Sequence, residues 1–116
     1  MIIDLPYPPS GLMPNQRLGK NWKATHQLKK TSRDEAFFLT KTTKDIHLLQ
    51  FEKTIEIKII FVQIGKRKKD LDGLLSASKH ALDGMAMALG IDDSRFEPIT
   101  IMRGYDKDKS YMRVVL

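Results

Sequence analysis

Hydrophobic and polar positions recur along the chain with two different periods, which predicts both strands and helices. The surest strand covers residues 54–64, where isoleucines alternate with charged residues before the pattern becomes wholly apolar. The surest helix follows Asp70, because leucine, alanine and methionine recur at helical spacing as far as Leu89. Gly90 then suits the end of that helix.

The remaining segments complete the predicted fold. Residues 1–5 indicate a short strand that a proline-rich segment ends, and residues 23–49 are good helix formers without proline or glycine. Residues 98–104 and 110–116 predict two strands joined by a charged turn, and we expect them to form a hairpin. The element order is therefore β-α-β-α-β-β. This order predicts an α/β fold class, with a mixed β-sheet of about four strands and two main helices, in one domain spanning residues 1–116.

Composition is consistent with a nucleic-acid partner. Lysine and arginine total 20 against 14 acidic residues, a formal net charge of +6. Basic domains of this kind attract polyanions, although many small basic proteins bind none. The chain has no cysteine, which excludes disulfides and thiolate metal sites. It shows no N-terminal apolar run of signal or membrane-spanning length, so we expect a cytoplasmic protein with no membrane partner.

Two aspartates separated by one residue, Asp70 and Asp72, give the strongest chemical signal. They stand between the surest strand and the surest helix, directly after four consecutive basic residues: Lys66, Arg67, Lys68 and Lys69. If Asp70 is extended, both carboxylates project to one side and could share a Mg²⁺ ion that activates water against a phosphodiester. The alternative is structural, since Asp70 could cap the helix and Asp72 could complement its dipole. The spacing alone favours the structural interpretation.

Other polar residues bear on the same chemistry. About 100° per residue places four side chains in one stripe of the second helix, opposite the leucines: Asp72, Ser76, Lys79 and Asp83. Lys79 could lean toward the carboxylates, but its spacing alone favours a solvated lysine. Asp92 and Asp93 follow the helix in a compact turn, where aspartate often bonds local backbone. The loop before the first helix carries Asn15 and Arg17, on the kind of exposed segment that function often uses.

Three segments in this order resemble the RusA-type Holliday junction resolvases: Leu5-Pro-Tyr-Pro-Pro-Ser10, Lys66-Arg-Lys-Lys-Asp-Leu-Asp-Gly-Leu74 and Ala88-Leu-Gly-Ile-Asp-Asp-Ser94. The resemblance covers nearly the whole chain. It implies a homodimeric α/β endonuclease that cuts four-way branched DNA in recombination and repair. It also implies a Mg²⁺ cofactor, with Mn²⁺ as a substitute. Many members of the family are encoded by phages or prophages.

The resemblance assigns roles by position. It makes three aspartates the metal ligands and catalytic residues: Asp70, Asp72 and Asp93. The loop that carries Asp93 would then have to fold back toward the start of the second helix. Lys79 would assist catalysis, and the DNA-binding residues would be Lys66, Arg67, Lys68, Lys69, Asn15 and Arg17.

Two positions depart from the family's usual pattern. The family commonly has asparagine where this chain has Gly73, and a lysine where it has Ser76. Lys79 resembles the substitute found in a branch of the family that reads Lys-x-x-Leu-Asp-Gly. These departures support a second interpretation, a non-catalytic DNA-binding phage regulator that retains the fold. A third interpretation is a basic structural protein whose aspartates only cap helices.

Overall fold

The computed structural model describes residues 1–14 and 22–116. Within these ranges the main elements are two helices and four strands, in the predicted order. They are β1 (Ile2–Pro6), α1 (Trp22–Lys41), β2 (Ile55–Gln63), α2 (Leu71–Leu89), β3 (Phe96–Tyr105) and β4 (Tyr111–Val115). The prediction of a mixed α/β fold with a four-stranded sheet and two main helices is confirmed.

The sheet has the strand order β1-β4-β2-β3, and the hairpin expected from the last two strands is wrong. Because α2 connects β2 to β3, these two strands pair in parallel, and β4 enters antiparallel on the other side of β2. The turn after β3 passes the end of β2, where the Asp106 N–H donates to the Gln63 carbonyl at 3.0 Å. Met112 and Val114 are almost completely buried, as an interior strand requires.

The first helix ends at Lys41, eight residues before the predicted end at residue 49. The hydroxyls of Thr42 and Thr43 donate to the carbonyls of Phe38 and Leu39, at 3.0 and 2.8 Å. Side-chain bonds of this kind compete with continuation of the helix. Asp45 then takes a positive φ of 60°, and residues Ile46–Phe51 continue as a 3₁₀ helix. Helix propensities of single residues do not include these side-chain bonds, so the predicted helix was too long.

Both helices contribute to one core on one face of the sheet. The central strand β2 supplies Ile57, Ile59 and Phe61, each with no exposed surface, and α2 supplies Leu74 and Met85. This arrangement leaves the polar stripe of α2 at the surface. Across the part of the chain that the structure describes, no helix is long and apolar enough to cross a bilayer.

Candidate carboxylate sites and basic loop

Asp70 and Asp72 lie at the start of α2, where both side chains are exposed. Asp70 is the N-cap, with φ −66° and ψ 119°, and its Oδ1 accepts a hydrogen bond from the Asp72 N–H at 3.3 Å. The capping interpretation is therefore correct for Asp70. A carboxylate has two oxygens with several lone pairs, so the cap bond leaves it able to accept further ligands. Both side chains line one shallow depression, together with Met13, Pro14 and Gly73.

Gly73 gives this depression its shape. A Cβ built on Gly73 would lie 2.9 Å from Met13 Cε and 3.8 Å from Asp70 Oδ2. The absence of a side chain therefore lets Met13 pack against the start of α2 beside Asp70. A side chain at position 73 would displace the end of the Met13 side chain.

Asp93 lines a second depression, which lies beside the polar stripe of α2. Lys79, His80 and Asp83 line the same depression. Contact with the carboxyl groups of Asp83 and, to a smaller extent, Asp92 raises the pKa of Asp93 above its usual value of 3.8. Asp92 is engaged locally instead, since its Oδ1 accepts from the Ser94 N–H at 2.8 Å and this bond lowers its pKa. The geometry favours Asp93 over Asp92 as the carboxylate that faces α2.

One chain does not bring the three predicted metal ligands together. Asp93 interacts with Asp83, which is eleven residues beyond Asp72 and about 16 Å away along the helix axis. Over residues 1–14 and 22–116, no group of three or more histidine or acidic side chains is placed to hold a metal ion. The expected return of the loop to the start of α2 is therefore not seen. The loop that carries Asp93 cannot extend far toward the start of α2, because Phe96 must pair with Ile55 where β3 begins.

The basic loop between β2 and α2 is held from both ends. Buried Gln63 donates through Nε2 to the carbonyls of Gly65, at 2.7 Å, and Arg67. Arg103 donates through Nε to the carbonyl of Lys69 at 2.9 Å, and the Lys69 ammonium lies 4.8 Å from the centre of the Tyr7 ring. The loop's backbone carbonyls are thus fixed by the protein, while its four basic side chains are exposed.

Sequence reasoning missed three residues of this region: Gln63, Arg103 and Tyr7. Gln63 carried a usable signal, because it is the only polar residue in the apolar end of β2. No local pattern predicts the contacts of Arg103 and Tyr7, since each contact joins residues far apart in the sequence. The predicted DNA-binding residues Asn15 and Arg17 lie outside the described residues.

Comparison with known families and proteins gives no relative for the chain. No protein-family model matches it, and no curated protein sequence matches it significantly.

Proposed function

We propose that this protein is a magnesium-dependent endodeoxyribonuclease that cuts four-way DNA junctions, as a cytoplasmic member of the RusA type. One observation carries the proposal. The exposed pair Asp70 and Asp72 begins α2 directly after an anchored loop with four exposed basic side chains. A DNA strand held by that loop would present its phosphates to the carboxylates.

The donor set at the start of α2 suits magnesium. Mg²⁺ is usually bound by one or two carboxylates together with waters and substrate phosphates, and Asp70 and Asp72 provide two carboxylates on one open depression. A bound Mg²⁺ or Mn²⁺ would supply Lewis-acid chemistry at a phosphodiester. The chain's own contribution is to orient Asp70 through the Asp72 N–H and to hold phosphates through the loop.

A homodimer would unite the two groups of predicted residues. Asp72 and Lys79 belong to the same stripe of α2, and Asp93 lies in the depression beside Lys79 and Asp83. Two copies facing each other across a two-fold axis, with their α2 stripes antiparallel, would place the partner's Asp93 and the partner's Lys79 near Asp70. Such a dimer would carry two equivalent sites, which suits a substrate of approximate two-fold symmetry and two cuts.

Cleavage of labelled junctions with and without magnesium tests the proposal. We expect metal-dependent nicking by the wild type and loss of nicking in Asp70→Asn, with junction binding retained, because the loop is unchanged. Asp34→Asn is the matched control, since it removes an exposed carboxylate from α1 and should cut normally. A wild type that binds junctions without nicking them, or an Asp70→Asn variant that cuts like the wild type, would overturn the proposal.

Mixing two inactive variants tests the shared site. In a heterodimer of Asp70→Asn with Asp93→Asn, one site carries both changes and the other carries neither. An equal mixture should therefore recover about a quarter of wild-type nicking, since about half the dimers are mixed and each has one intact site of two. If each site lies within one chain, the mixture stays inactive.

A second candidate function is DNA binding without catalysis, which the cap bond of Asp70 and the separation of Asp93 favour. It predicts that the protein binds junctions and does not nick them in the presence of Mg²⁺ or Mn²⁺. It also predicts no rise in melting temperature on addition of magnesium, because a bound ligand stabilises only the protein that binds it.

A further inference from the structure

A separate basic depression of about 470 Å³ lies where the parallel strands β2 and β3 end. Gln63 and Tyr105 are register partners at these ends, and Arg103 precedes Tyr105 by two residues, so both side chains leave the same face of β3. The basic loop covers one side. The lining residues are Gln63, Gly65, Lys66, Lys68, Arg103, Gly104 and Tyr105.

The charged side chains of this depression are all positive. Lys66, Lys68 and Arg103 line it, and none of the described residues that line it is acidic. The hydrogen bond from Arg103 Nε to the Lys69 carbonyl uses one of the five N–H donors of the guanidinium and fixes its position. The Gln63 bonds to the loop fix the backbone that carries both lysines. The cations therefore stand on a preformed frame that suits an anion.

Tyr105 adds an aromatic surface to these cations. Its side chain is 57% exposed, although aromatic rings are usually buried for most of their area. An exposed ring beside three cations matches a ligand that has a flat base and a phosphate. Stacking of bases on aromatic side chains, with lysine and arginine on the backbone, is how proteins hold unpaired nucleotides.

We propose that this depression binds one unstacked nucleotide of a DNA strand, with its base against Tyr105 and its phosphates on Lys66, Lys68 and Arg103. The inference rests on the proposed function in one respect. Arg103 binds the carbonyl of Lys69, the residue before Asp70, so the nucleotide would lie next to the strand presented to the carboxylates. If a base pair opens at the crossover of a four-way junction, the freed nucleotide would be such a ligand.

The test measures metal-free binding of fluorescein-labelled oligothymidine and of a linear duplex by anisotropy. Tyr105→Leu should weaken binding of the single strand about 5- to 140-fold, the effect of one lost base–aromatic stack. Tyr105→Phe keeps the ring and should bind like the wild type. Binding of the duplex should change little in either variant, because its bases stay stacked. Phe38→Leu is the matched control, since it removes a ring that is 65% exposed on α1.

Salt dependence tests the cations independently. Replacing Lys66 and Lys68 together by alanine should reduce the slope of log K against log salt for the single strand by about 1.4, two phosphate contacts at 0.7 each. Alanine at Lys41 and Lys44 removes the same charge from the end of α1 and should leave the slope nearly unchanged.

The outcomes separate this inference from the proposed function. Equal binding of oligothymidine by the wild type and by a Tyr105→Leu variant with an unchanged circular-dichroism spectrum overturns the subsite, even if the wild type cuts junctions. A wild type that fails to bind oligothymidine also overturns it. Binding that depends on Tyr105 supports the subsite, even if no junction is cut.

Discussion

Replacing Gly84 by alanine tests how closely the two helices pack. A Cβ built on Gly84 would lie 2.1 Å from the carbonyl oxygen of Arg33 and about 3 Å from its carbonyl carbon and Cα. These are backbone atoms within α1, so no side chain can move aside to relieve the contact. Because non-bonded atoms normally stay about 3.5 Å apart, the helices would have to separate by roughly 1.4 Å.

The expected cost follows from two opposing effects. Overpacking of a well-filled interior typically costs about 1–3 kcal/mol, and a contact with backbone belongs at the upper end. Alanine offsets part of this, since it is better than glycine inside a helix by about 1 kcal/mol. We therefore expect Gly84→Ala to lower the free energy of unfolding by about 2 kcal/mol, and the melting temperature by roughly 10 °C.

Gly73→Ala in the same helix is the matched comparison. Its Cβ would come closer than 3.5 Å only to the end of the Met13 side chain, which can rotate away. We expect this variant to be unchanged or more stable by up to about 1 kcal/mol. Urea denaturation followed by far-ultraviolet circular dichroism measures both variants. If Gly84→Ala is as stable as Gly73→Ala, the close approach of α1 and α2 is refuted.

Three further changes probe single groups. Thr40 is fully buried, and its Oγ1 has no hydrogen-bond partner among the described residues, so Thr40→Val should raise the free energy of unfolding by about 1–3 kcal/mol in urea titrations. Hydrogen bonds from Arg113 at 2.8 and 3.0 Å hold the pKa of Asp4 below 3.8. Their contribution is complete above pH 3.8 and is lost as the pH falls through the lower folded-state pKa, so Asp4→Asn should reduce the urea midpoint at neutral pH and not in strong acid. The raised pKa of Asp93 has the opposite sign, because the folded state then loses stability as the pH rises above 3.8. Asp83→Asn should accordingly raise the melting temperature at neutral pH, with the gain absent in acid; an equal gain at both pH values would contradict the assigned cause.

Periodicity was enough to predict the elements that form the core. The apolar positions of β2 and α2 are continuous enough to indicate strand and helix without tertiary information. The order of strands in the sheet was not predictable in the same way, because β3 and β4 are close in sequence but pair on opposite sides of β2. Local patterns show which residues are apolar. They do not show which neighbouring strand pairs with each edge of β2.

The candidate site also has a part that the sequence predicts and a part that it does not. Asp70, Asp72 and the basic loop are neighbours in sequence, so their proximity could be predicted. The distance from Asp72 to Asp93 depends on where β3 begins beside β2, which no local pattern encodes. The basic depression shows the same limit, since Arg103 and Tyr105 come near the basic loop only through the parallel pairing of β2 and β3.

The position of β4 has a consequence for how the chain folds. In the described sheet, β1 pairs only with β4, so Ile2 and its register partner Val115 are separated by almost the whole sequence. Closing so large a loop is entropically costly, and contacts of this separation are associated with slow folding. During synthesis β1 has no strand to pair with until residues 111–115 have left the ribosome. Until then β2 also exposes the edge that β4 will fill, and an unpaired edge of this kind favours aggregation, so we expect the nascent chain to need protection by chaperones.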